Sequence, residues 1–270
     1  MNSRNFFFLL AVSLVVMACG AAKDKPKKPP KGGLNVFSLE QDKALGLQVA
    51  QEIESNPKEF PILDSASNVP AYKYIYGIRD KILATGKVKY KDDFVWRVRI
   101  IDNDTTLNAF CTPGGYIYFY TGIIKYLENE AQLAGVMGHE MGHADLRHST
   151  RQMTKIYGVQ ILAAAALGEH EALAQITTGL IGLKFSRAHE TEADHMSVLY
   201  LCETDWPADG GAGFFEKIAA SGGGRPPQFL STHPSPENRI ENYHTLAKEN
   251  NCGGTNNGEM SFKEFQKLFD

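Results

Sequence analysis

The chain has 270 residues, 43% of them hydrophobic and 22% charged, with a formal net charge of −3. That length and apolar fraction support a buried core and exclude disorder along the whole chain. The mildly negative balance excludes nucleic acid as the main partner. Four cysteines, none in a C-x-x-C pair, exclude both a disulfide scaffold and a zinc ribbon.

Residues 1–19 read as a secretory signal. Arg4 supplies the positive start, and Phe6 to Met17 form an apolar stretch too short to span a bilayer. The stretch closes on Val16-Met17-Ala18-Cys19, which resembles a bacterial lipobox, whose cysteine is lipidated and becomes the first mature residue. Gly20, in place of an aspartate, favours the outer membrane by resemblance to bacterial sorting rules. The expectation is a bacterial envelope protein on the periplasmic face of the outer membrane, held there by lipid on Cys19. Residues 20–34 contain Lys23 to Gly33, a run of Lys, Pro and Gly that cannot fold and reads as a tether.

Residues 35–250 read as one domain. Leu45, Val49 and Ile53 predict a helix over 39–55, and Tyr72, Ile75, Tyr76, Ile78 and Ile82 another over 69–85. Phe94 to Ile101 alternates Trp96, Val98 and Ile100 against Arg97 and Arg99, the pattern of a half-buried strand. Pro113-Gly114-Gly115 is a turn, and Tyr116 to Tyr120 a second strand. Helical spacing follows over 129–148, 150–168, 170–184 and 187–204; Gly222 to Pro227 reads as an irregular loop, and 235–250 as a last helix. The tail, 251–270, ends in an amphipathic piece (Phe262, Phe265, Leu268, Phe269) read as a helix docked on the domain surface. The expected class is α+β, mostly helical, with a small antiparallel sheet. Export would allow one disulfide. Cys202 with Cys252 is one possibility, leaving Cys111 in apolar surroundings, and the spacing does not decide it.

The informative segment is His139-Glu140-Met141-Gly142-His143, an H-E-x-x-H motif. Leu133, Val136, Met137, Met141 and Ala144 give it a core-facing helical stripe, and Glu128 and Glu130 suit the helix start. Histidines four apart share a helix face, so both imidazoles can converge on one zinc ion. Glu140 flanks that face and can serve as general base to a water whose pKa the zinc lowers to about 7.

The pentapeptide alone is weak evidence; a third ligand strengthens it. A metzincin would need glycine at 146 and histidine at 149, but the chain has Leu146 and Ser149. Glu169 and Glu171 lie downstream, yet neither has an acid four residues later. Glu190-Thr191-Glu192-Ala193-Asp194 fits better. Glu190 would complete a His-His-Glu site. Asp194, one turn on, would accept the free ring N–H of a ligand histidine, and small Ala193 would allow close helix approach. Glu192 lies about 200° round the helix and cannot share the role. His148, His170, His189, His195 and His244 read as surface or helix-packing residues.

At these residues the chain resembles the HtpX-type and prenyl-protein (CAAX) endopeptidase family of zinc metallopeptidases, within the gluzincins. The resembling segments are Asn108-Ala109-Phe110 through Pro113-Gly114-Gly115, the zinc helix, Phe185-Ser186-Arg187 with Glu190 and Ala193-Asp194, and Ser231-Thr232-His233-Pro234 with Arg239-Ile240. The resemblance implies a zincin-like peptidase domain with one Zn2+, His139, His143 and Glu190 as ligands and Glu140 as base. It points to the soluble, exported BepA/LoiP-like branch, acting on unfolded or misassembled envelope polypeptides. It implies that the strand at Asn108, Ala109 and Phe110 offers a backbone edge to extended substrate. His233 and Arg239 are candidates for the side-chain donor to the developing oxyanion, and His233 is equally a candidate for a fourth ligand that plugs the site. The rival expectation is an assembly factor or chaperone that keeps zinc and rarely cuts.

Overall fold

The computed structural model describes the backbone of residues 35–166, 169–221 and 228–270. The expected signal, the lipidated Cys19, the tether and the Gly222–Pro227 loop lie outside the described residues.

Helix α1 (Leu39–Glu54) begins at Ser38, whose hydroxyl accepts from Gln41 N–H while the Gln41 side chain accepts from Ser38 N–H. This reciprocal cap satisfies two donors that the first turn leaves open. Helix α2 (Val69–Ala84) carries Pro70 in its first turn, where a missing N–H costs no helical hydrogen bond. Both helices bury the apolar stripes that predicted them.

Three strands follow, β1 (Arg97–Ile101), β2 (Ala109–Thr112) and β3 (Tyr116–Tyr120), in the sheet order β1-β3-β2. β2 and β3 form an antiparallel hairpin across Pro113-Gly114-Gly115, whose glycines take φ of 77° and 85°. β1 runs parallel to β3, from Arg97 opposite Tyr116 to Ile101 opposite Tyr120. The sheet is therefore mixed, where an antiparallel one was expected. Residues 102–108 carry the chain past the place β3 will fill, so β3 inserts between β1 and its own hairpin partner. β1 also starts later than the alternation suggests, because Trp96 takes φ 45° and breaks the extended run. Ile117 and Phe119 of β3 join the core on one face, while Tyr116, Tyr118 and Tyr120 join a second core against α1. Covered on both faces, β3 reads as an unbroken apolar run.

The remaining helices are α3 (Thr121–Tyr126), α4 (Glu130–Asp145), α5 (His148–Ala166), α6 (His170–Ile181), α7 (Arg187–Leu201), α8 (Ala212–Ala220), α9 (Gln228–Thr232), α10 (Arg239–Glu249) and α11 (Glu259–Gln266). α4 and α7 pack closely along glycines of α4. A Cβ on Gly138 would lie 3.0 Å from Ser197 Oγ, and one on Gly142 3.1 Å from the Ala193 carbonyl oxygen. Cys202, at the end of α7, is bonded to Cys252 beyond α10. α11 docks on the domain as expected, with Phe262 and Phe265 buried against the main core and its other face exposed. Among the described residues no helix is long and apolar enough to cross a membrane.

Candidate metal centre

Asn129 caps α4 by accepting from Gln132 N–H at 3.0 Å, and Leu133, Met137 and Met141 anchor the helix in the core. His139 and His143 then lie one turn apart with their Nε2 atoms 3.0 Å from each other. Ser186 caps α7 and starts it in time to deliver Glu190. Glu190 Oε1 lies 3.4 Å from His143 Nε2, and Oε2 3.5 Å from His139 Nε2. His233, just past α9, brings its Nδ1 to 3.3 Å from His139 Nε2 and 3.2 Å from Glu190 Oε1. The ligand atoms of these four buried residues lie within 4.8 Å of one another.

The donor set fits a zinc ion. Asp194 Oδ1 is 2.8 Å from His139 Nδ1. A carboxylate only accepts, so the His139 ring holds a proton on Nδ1, and in the neutral ring Nε2 is a lone pair aimed at the other donors. Glu190 Oε2 is buried and receives no hydrogen bond, although Arg239 Nη2 is 3.2 Å away. Converging lone pairs and an unpartnered carboxylate oxygen repel one another unless a cation joins them. Two imidazoles and a carboxylate are a catalytic zinc set.

The same contacts set the charges of the four groups. Burial alone would push the His139 imidazole down, but hydrogen bonds and charge from Asp194 and Glu190 carry it up to about 9. Burial holds His143 well below the usual imidazole range, as a neutral ligand. Burial would raise Glu190, yet the charge of His233 and hydrogen bonds from His139 and His143 take it well below the carboxylate range. Asp194 is likewise lowered: burial opposes, and the Arg239 guanidinium prevails.

Glu140 is fully buried and neither of its oxygens has a hydrogen bond. Its Oε1 lies 3.6 Å from His233 Nε2. The His233 ring thus sits between the candidate base and the three other ligands. Phe229 stacks on that ring at 4.3 Å, Phe185 stacks on His143 at 4.0 Å, and Phe185 N–H donates to the Thr232 carbonyl at 3.1 Å. The centre is sealed.

Arg239, buried at the start of α10, donates from Nη2 to Asp194 Oδ1 at 2.7 Å, and the Tyr243 hydroxyl donates to the same oxygen at 2.8 Å. Its guanidinium lies 3.9 Å above the Phe215 ring. These contacts put Arg239 behind Asp194 and Glu190, not beside Glu140. Asn108, Ala109 and Phe110 are buried at the start of β2, the edge strand. The Asn108 carbonyl accepts from Tyr120 N–H, while Phe229 N–H donates to the Leu107 carbonyl at 3.0 Å along the outer edge. The α9 segment therefore occupies one end of that edge.

His148 packs between helices and Glu192 stays out of the ligand cluster, as expected; both are buried, with His148 Nε2 2.9 Å from Glu192 Oε2. Tyr243, which supports Asp194, carried no sequence signal. His189 stacks on His148 at 4.4 Å, His195 is half-buried, and His244 is exposed on α10; the side chain of His170 lies outside the described residues.

Two helical histidines, a carboxylate from a second helix and a buried glutamate beside them define a zinc metallopeptidase domain. The profile of peptidase family M48 matches residues 74–247. The chain belongs to that family. It is 31% identical over 213 residues to the mitochondrial metalloendopeptidase OMA1 of Schizosaccharomyces pombe, covering 76% of this chain and 61% of that protein. It is 30% identical over 166 residues to the beta-barrel assembly-enhancing protease of Escherichia coli (56% and 34% covered). Metalloprotease YcaL of the same bacterium is 31% identical over 143 residues (50% and 56% covered). The chain spans from about a third to three-fifths of the length of these curated relatives.

Proposed function

We propose that the chain is a zinc endopeptidase hydrolysing peptide bonds of misfolded or misassembled cell-envelope proteins, with Glu140 as general base. The carrying observation is a buried carboxylate with no hydrogen bond beside a complete His-His-Glu donor set. A structural metal site has no use for such a group, since an unpaired buried carboxylate is costly. His139, His143 and Glu190 hold the metal, which when bound polarises the scissile carbonyl and the attacking water. Glu140 accepts the proton of that water and passes it to the leaving amine. Asp194 orients His139, and Arg239 with Tyr243 holds Asp194, so Arg239 acts through the ligands. Asn108, Ala109 and Phe110 offer the strand edge along which an extended peptide adds once the α9 segment yields its place. In this reading His233 is a plug: it fills the corner that water needs and faces the base.

The motifs around Phe185-Ser186-Arg187 and Ser231-Thr232-His233-Pro234 support an HtpX-type assignment within the family. The relatives' names place one in mitochondria and another in β-barrel assembly. The bacterial envelope reading for this chain rests on the lipobox-like Val16-Met17-Ala18-Cys19, with lipid on Cys19 as the membrane contact. The sealed centre supports a second reading, a zinc-holding chaperone that seldom cuts. Glu140→Gln separates the two. With zinc retained, cleavage of unfolded casein falls about 10²- to 10⁴-fold if Glu140 is the base. Undiminished cleavage rejects that role, and equal client protection by mutant and wild type favours the chaperone.

A further inference from the structure

We infer that His148 and Glu192 form a positioning pair for the ligand His143, the counterpart of Asp194 behind His139; the inference rests on the zinc reading above.

His148 opens α5 immediately after a tight reversal. Arg147 takes φ 57° and donates its N–H to the Ala144 carbonyl at 2.9 Å. Its guanidinium bonds Asp42 and the Phe37 and Ser38 carbonyls, which pins the turn to the start of α1. The reversal brings the His148 ring back onto His143, with centroids 5.0 Å apart and the two Nδ1 atoms 2.9 Å apart.

Two neutral imidazole nitrogens at that distance share one proton: one donates and the other accepts. Glu192 decides which. Its Oε2 lies 2.9 Å from His148 Nε2, and a carboxylate only accepts, so His148 carries its proton on Nε2 and presents a lone pair at Nδ1. His143 must then donate from Nδ1, which leaves its Nε2 bare and facing His139 and Glu190. Arg151 Nη1, 3.6 Å from the same Glu192 oxygen, holds the far end of the chain. His189 stacks on the outer face of His148 and fixes its plane. The run His143–His148–Glu192 is buried throughout, so no solvent competes for these bonds. Each ligand histidine is thus fixed by an acid on α7. Asp194 acts directly on His139, and Glu192 acts through one imidazole on His143.

The test measures zinc affinity of the full chain by chelator competition, the visible spectrum of the Co2+-loaded protein, and the melting temperature of the metal-free protein as a check of fold. Outer partners of ligand histidines contribute about 10- to 100-fold in metal affinity. His148→Leu is expected to lose that much and to shift the Co2+ bands, with the metal-free melting temperature near wild type. His148→Asn, whose Oδ1 can stand where Nδ1 accepts, is expected to restore most of the affinity and the wild-type spectrum. Glu192→Leu gives the same readout should His148→Leu fail to fold, with about a tenfold loss expected. Affinity within about twofold of wild type in either leucine variant, or equal losses in His148→Leu and His148→Asn, overturns the inference. A wild-type chain that binds no zinc overturns the metal-centre reading itself, a distinct result because no variant then differs from it.

Discussion

At the scale of single residues, the site was readable where chemistry follows helical spacing. His139 and His143 at four apart, Glu190 and Asp194 at four apart, and Glu140 between the histidines all come together as their spacing implies. His148 was not readable. On an uninterrupted helix a residue five past His143 points well away from it, and Asp145-Leu146-Arg147 contains neither Gly nor Pro to announce a turn. Only the left-handed Arg147, held by Asp42 and two carbonyls of the N-terminal segment, returns His148 to the ligand. Outside the centre, His244 carries a pH signature. Its Nδ1 is 2.7 Å from Asp209 and its Nε2 2.9 Å from Glu216, and the Asp209 hydrogen bond leads in raising its pKa above the usual imidazole value. Stability from a raised group is fully present below the unfolded pKa, near 6.5, and is lost as pH rises through the folded one. His244→Ala is therefore expected to lower the urea midpoint at about pH 6 and to leave it nearly unchanged at about pH 9. The pair is half-exposed, so the effect stays below about 1 kcal/mol. Equal loss at both pH values would contradict the pairing.

At the scale of elements, alternation told which face of β1 is buried but not which strand lies beside it. Period-two patterning does not say which strands pair or in which direction, so an antiparallel sheet was expected and β1 and β3 proved parallel. The close seam of α4 and α7 is what converts two motifs distant in sequence into one centre. Gly142→Val would press the new side chain on the Ala193 backbone. The expected cost is about 1–3 kcal/mol, with weaker zinc retention because Glu190 rides on the displaced helix. A variant that keeps both melting temperature and zinc would show that the seam has slack. The α9 segment sets a different expectation. If His233 plugs the site, His233→Ala raises peptidase activity on an unfolded substrate; unchanged or reduced activity sinks the plug and leaves His233 as a ligand or donor.

For the molecule as a whole, four cysteines left the pairing open, whereas the fold brings Cys202 and Cys252 together across a sequence separation of 50. The closed loop contains α8, α9 with His233, and α10 with Arg239. Everything that covers the centre from that side belongs to one tethered loop. Loss of the bond through Cys202→Ser with Cys252→Ser is expected to cost about 2–4 kcal/mol, read from urea midpoints. A variant as stable as wild type would mean that packing of α10 and α11 holds the loop unaided. The tail helix docks as its amphipathic spacing implied: α11 buries Phe262 and Phe265 against the main core and leaves its other face to solvent.

The burial of Glu140 together with all four candidate ligands has a kinetic corollary. If His233 plugs the site, a hydroxamate inhibitor meets no vacant corner in this arrangement and waits for a unimolecular opening before it engages. Its onset rate then climbs with dose only until that opening becomes limiting, and the plateau is a direct clock for how often the enzyme unlatches.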